Sequence, residues 1–195
     1  MSLTRPLMLS AMFVIASVVP AFSQERWQRL PPPRDAQFYA PRNKIEEFES
    51  RTSTLLIKGR TWVATLRTAA GSARVEATEI RDAVNGTRAT GVTITLTAAS
   101  ETRCVIDYDE IESLVGAFEV MEKAGDSITK LTNFEAHFRT RGDFEIIVFK
   151  QTTGGVAAAI EGGFYDRSRL FLTLDEFTRL RWMIVQAKER LDEIK

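Results

Sequence analysis

Apolar and polar residues alternate with a period of two over residues 54–67, which are rich in β-branched and aromatic side chains. That pattern predicts a strand, with a bulge or turn at Gly59. Residues 69–72 read as a turn, and residues 74–81 alternate again. Asn85-Gly86 is the strongest hairpin signal in the chain. In residues 88–98, Val92, Ile94 and Leu96 occupy one face and Thr93, Thr95 and Thr97 the other. Residues 103–107 predict a short strand. The period then becomes helical: Ile111, Leu114, Val115, Phe118 and Met121 form a stripe over residues 109–123, closed by Gly125.

The second half repeats this plan. Residues 133–139 alternate with Phe134, Ala136 and Phe138 inward, and Arg141-Gly142 turns. Strands are predicted at 144–150, 156–161 and 169–172, with breaks at 153–155 and 162–163. Residues 174–194 form a long terminal helix carrying Phe177, Leu180, Ile184, Ala187 and Leu191. The predicted fold class is α+β: antiparallel meanders in two tandem ββββα halves, about 51–125 and 126–195, each ending in an amphipathic helix and packed as one domain. An offset of 66 residues lays Arg103 on Arg169, Glu110 on Glu176 and Leu114 on Leu180. Each junction then places an N-cap residue, Asp107 or Thr173, three before a glutamate, the spacing of a capping box.

The chain opens differently. Arg5 precedes an apolar run over residues 7–19, Pro20 follows, and Ala21 and Ser23 supply small residues at the −3 and −1 positions. Residues 1–23 thus read as a secretory signal peptide, cleaved between Ser23 and Gln24. The apolar run is too short for a bilayer core that needs roughly 20 residues, so no membrane span is expected after signal removal. Residues 24–50 are a proline-containing tether with a short helix at 43–50, where Ile45 and Phe48 share a side.

Composition narrows the possibilities. Arg5 is the only charge before Gln24, so removing the leader leaves 25 basic against 26 acidic residues. That balance opposes a dedicated polyanion binder. Cys104 is the only cysteine, so no disulfide forms within the chain and the core must suffice. Export without disulfides fits a bacterial periplasmic or secreted protein.

Two resemblances follow from these segments. The tandem plan over residues 52–195 resembles the strand-strand-strand-strand-helix repeats of the Pur and Whirly group of single-strand nucleic-acid binders, in topology alone. Residues 105–111, 131–136 and 184–188 resemble a set of uncharacterised exported bacterial proteins, which implies export and fold but no activity.

The candidate chemistry has mostly structural readings. Asp107, Asp109, Glu110 and Glu112 contain enough oxygens for a divalent cation, but acids in a first helical turn favour the positive end of the helix dipole. His137, the only histidine, falls on the solvent side of a strand. Cys104 ends an apolar strand and reads as a buried thiol. Arg141-Gly142-Asp143 lies between strands as ordinary turn chemistry. The double glycines open no helix followed by Lys and Ser/Thr, so no phosphate loop is predicted. Arg60, Arg67, Arg74, Arg81 and Arg88 recur through the first half, with Trp62 among them. If they share a face, they offer an anion or partner surface with a stacking platform.

These readings point to an exported, non-enzymatic binding or structural protein of the bacterial envelope, with an envelope or extracellular partner. No catalytic residues, metal or cofactor are expected. The alternative is single-stranded nucleic acid or another anion on the arginine-bearing face. Export and near-neutral charge weigh against nucleic acid.

Overall fold

The computed structural model describes residues 40–98, 100–124, 129–164 and 167–195. The signal peptide, its Ser23–Gln24 cleavage point, residues 24–39 of the tether and Gly125 at the expected close of the first half's helix lie outside the described residues. The first half contains α1 (Lys44–Ser50), β1 (Leu56–Thr68), β2 (Gly71–Asp82), β3 (Arg88–Thr97), β4 (Glu101–Asp107), a 3-10 turn (Tyr108–Glu110) and α2 (Ile111–Glu122). The second contains β5 (Glu135–Arg139), β6 (Phe144–Gln151), β7 (Gly155–Gly162), β8 (Ser168–Leu172) and α3 (Leu174–Asp192). The class is α+β. Each half is a four-stranded antiparallel meander, ordered β1-β2-β3-β4 and β5-β6-β7-β8.

Period-two patterning determines what each sheet buries. Leu66, Ala73, Val75, Ala77, Val92, Ile94, Leu96, Cys104 and Ile106 face inward from the first sheet. From the second, Phe144, Ile146, Val148, Ala158, Ile160, Leu170 and Leu172 join the same buried cluster, as do the stripes of α2 and α3. Phe118 and Phe177 meet across the helices with ring centroids 4.4 Å apart. Such a pair contributes about 0.5–1.5 kcal/mol beyond its buried area. Helix α3 lies across β1, β2 and β3 of the other half, and α2 reaches β5.

Helix α1 covers one end of the first sheet's outer face. Ile45 and Phe48 pack there on Ile80, Ala89 and Val105. Beneath it, Thr78 and Thr93 satisfy each other through their hydroxyls at 2.8 Å.

Two local expectations are corrected. The strand-pairing irregularity in β1 falls between Trp62 and Ala64, not at Gly59, which pairs in register with Glu79. A bulge needs one extra residue in the strand and does not require glycine. The second correction concerns capping. Thr173 and Glu176 form the reciprocal capping box of α3, whereas Asp107 makes no side-chain cap at its own junction. Its carboxylate instead accepts from the backbone N–H of Lys44 at 2.7 Å and of Ile45 at 3.2 Å. Asp107 therefore caps α1, a helix more than sixty residues earlier.

Candidate functional site

The outer face of the first sheet can be read row by row from its register. Arg67 stands beside Ser72, Thr97 and Glu101; Thr65 beside Arg74, Thr95 and Arg103; Trp62 beside Glu76, Thr93 and Val105. Arg60 is opposite Thr78, and Lys58 is opposite Ile80. Arg60, Trp62, Arg67 and Arg74 thus share this face with Lys58 and Arg103. Arg67 and Arg74 are diagonal neighbours, positions that lie about 7–8 Å apart on a sheet face, within reach of long side chains. Two guanidinium groups at that spacing can close on one phosphate, sulfate or carboxylate.

Arg81 and Arg88 are paired on the opposite face of the same sheet. Arg88 donates to the carbonyl oxygens of Ile194 at 2.7 Å and Lys195 at 3.1 Å, beyond the end of α3, and pairs with Glu79. A cation there complements the negative end of the helix dipole. The seven-residue spacing explains the split. Seven is odd, so Arg74 and Arg81, on one uninterrupted strand, point to opposite sides. Arg60 and Arg67 are also seven apart, but the extra residue at the bulge restores them to one side.

Ion pairing separates the free arginines from the committed ones. Among the described residues, Arg60 and Arg67 have no acidic partner, and Arg74 reaches Glu76 only at 4.0 Å. Lys58 and Arg103 converge on Glu49 of α1. Burial opposes ionisation of Glu49, but hydrogen bonds from Arg103 and Lys58 outweigh it and hold the carboxyl below its usual range. Trp62, at the bulge, is 62% exposed, and its Nε1 donates to Thr65 Oγ1 at 3.3 Å. It also borders a 300 Å³ cleft against Gln186, Glu189, Arg190 and Glu193 of α3.

The second sheet has spent its arginines. Arg139, Glu145, Glu161 and Arg169 form one row across its outer face. Arg167 Nη2 bridges Glu145 at 2.7 Å and Glu161 at 3.0 Å. Both glutamate side chains are nearly buried, and burial alone would raise Glu145. Hydrogen bonds from Arg139, His137 and Arg167 reverse that and lower it. His137 is held between Glu145 and Glu135 at 3.0 and 3.1 Å. This ladder, whose contacts join side chains 2 to 22 positions apart, was not legible in the sequence. A strand register predicted alongside the strands would have revealed it.

The remaining candidates are structural in their contacts. Arg141 reaches Asp107 at 3.5 Å, Asp109 at 2.6 Å and Glu110 at 3.3 Å, placing a guanidinium among the acids read as a possible cation site. Among the described residues, no group of three or more His, Cys, Asp or Glu is arranged to hold a metal ion. Gly142 presses on the Val105 carbonyl, and Asp143 pairs with Arg42, so the Arg-Gly-Asp turn is docked against the first half. Cys104 is buried, and burial pushes its thiol up to about 11. No helix among the described residues is long and apolar enough to cross a membrane. The chain matches no family model, no curated protein and no solved structure.

Proposed function

We propose that this chain is an exported, non-enzymatic binding protein of the bacterial envelope, periplasmic or secreted, that meets an anionic partner on the outer face of its first sheet. The observation that carries the reading is the set of Arg60, Arg67 and Arg74 on one sheet face, two of them without an acidic partner among the described residues. The contrast with the second sheet supports it, because there the arginines are neutralised by Glu145 and Glu161. Serine and threonine hydroxyls stand between the guanidinium groups, as oxyanion recognition favours. The repeated ββββα plan and the junction match at an offset of 66 residues support an internal duplication packed as one domain. In this reading only the first copy has kept a charged face open.

Binding to a sulfated or carboxylated oligosaccharide at low salt, followed by fluorescence anisotropy, tests the proposal. Affinity falls as salt rises, and Arg67→Ala with Arg74→Ala weakens it at least tenfold. No binding at tens of micromolar ends the reading. Export is tested separately by mass spectrometry of the protein recovered from a periplasmic extract, which should begin at Gln24.

A second reading, single-stranded nucleic acid, is favoured by the exposure of Trp62 beside Arg60, an aromatic surface on which a base can stack. Gel shifts with a short single-stranded oligonucleotide at low salt decide it. Binding lost in Trp62→Ala supports it, and absence of a shift removes it.

A further inference from the structure

We propose that the first part of the free edge of β1, residues 56–62, accepts an extended acidic segment of a partner protein as an added strand. The inference rests on the anion-binding reading and narrows the anionic partner to a peptide.

The four sheet edges are unequal. β5 and β8 have five residues each. β4 is covered: Asn43 Nδ2 donates to Val105 O at 3.1 Å, Gly142 abuts the same carbonyl, and Thr102 Oγ1 meets Ser168 Oγ at 2.9 Å. β1 has thirteen residues and, among the described residues, pairs only with β2. Its register runs unbroken from Leu56 opposite Asp82 to Trp62 opposite Glu76, and then the bulge interrupts it. Seven regular residues offer about 23 Å of edge. An edge of that length presents a row of backbone donors and acceptors, which proteins ordinarily blunt with bulges and charges. Here the bulge blunts only the second half.

The side chains flanking this edge specify the guest. On the inner side Ile57 is 56% exposed, with Leu55 at 64% just before the strand. On the outer side stand Arg60, with no acidic partner among the described residues, and Trp62, beside Lys58, which is paired with Glu49. A strand laid beside β1 places alternate side chains against these two rows. Apolar residues therefore suit the inner side and acids the outer. A second copy of this chain does not fit. Antiparallel pairing of β1 with itself about Gly59 sets Lys58 against Arg60 of the other copy, which repels. The geometry calls instead for strand addition by an amphipathic acidic segment.

The test uses the full chain and capped, fluorescently labelled seven-residue peptides alternating Glu with Val. Two further peptides carry backbone N-methyl groups on alternate residues, one in each phase. The parent peptide is expected to bind at low salt. One N-methylated phase loses at least tenfold, because its blocked N–H groups face β1, while the other phase binds as the parent does. Replacing Glu by Lys in the peptide, or Arg60→Glu in the protein, weakens binding at least tenfold, and Ile57→Lys weakens it independently. Equal binding by both methylated phases overturns strand addition and leaves the anionic face standing. So does binding of a sulfated oligosaccharide with no binding of any peptide. Failure of both ligand classes overturns the parent reading as well.

Discussion

Replacing Gly162 with alanine tests how tightly the two sheets interlock. β4 and β7 belong to different halves, and Cys104 of β4 lies over Gly162 of β7. A Cβ built on Gly162 would stand closer than 3.0 Å to Cys104 Sγ and 3.2 Å from Leu96 Cδ1, and Cys104 and Leu96 are fully buried. Gly162 does not adopt a positive φ, so alanine brings no backbone penalty there. The cost is steric, and overpacking of a filled core amounts to about 1–3 kcal/mol. Cys104→Ala alone leaves a gap of about one heavy atom, costing about 1 kcal/mol. In the double variant the new methyl group enters the space the sulfur vacated. Its destabilisation is therefore smaller than the sum of the single variants by about 1–2 kcal/mol. Urea unfolding of the four proteins, with m unchanged across the set, measures the cycle. Additivity within about 0.5 kcal/mol would refute the reasoning, because it would mean that the two side chains do not share one space.

Gly142→Ala should cost more than Gly162→Ala, since its Cβ meets the backbone carbonyl of Val105, which has no rotamer to change; thermal melts of the two variants compare them. Thr173→Ala removes the α3 capping box and should cost about 1 kcal/mol, with faster amide exchange at Glu176. The carboxylates of Glu145 and Glu135 raise His137 above its ordinary value of 6.5, against a smaller effect of burial. Its charged form therefore stabilises the fold fully below the unfolded value, and that contribution is lost as pH rises through the folded one. The stability advantage over His137→Gln should shrink between about pH 5 and about pH 8, with an NMR midpoint above 6.5. A midpoint below 6.5 would contradict the carboxylate contacts.

The strands and helices were legible because one face of each element is buried and the period of burial survives in the sequence. Val92, Ile94 and Leu96 alternate with threonines on β3, and Phe177, Leu180, Ile184, Ala187 and Leu191 recur along α3. Relations between elements were less legible. The bulge at Val63 carries no glycine to mark it, yet it decides which side Arg60 takes relative to Arg67. Asp107 sits in the sequence position of an N-cap, but its carboxylate is drawn to the unsatisfied N–H groups at the start of α1. Whether Arg60 or Arg169 is free depends on acids elsewhere in the chain, because Glu161 becomes a neighbour of Arg169 only through strand pairing. Residue types foretold a basic sheet, but only the register separates charges that cancel from charges left over.

The placement of α3 also governs when this protein can become native. β6, β7 and β8 reach the inner face of the first sheet at β3 and β4, but its cover over β1 and β2 comes from the nineteen residues of α3, which follow every strand. Contacts of such sequence separation form slowly, since a long loop must close before they stabilise anything. A partly synthesised or partly threaded chain therefore has no finished core in which to become trapped. Under the export proposed above, a structure completed by α3 would keep the chain pliable until passage is over.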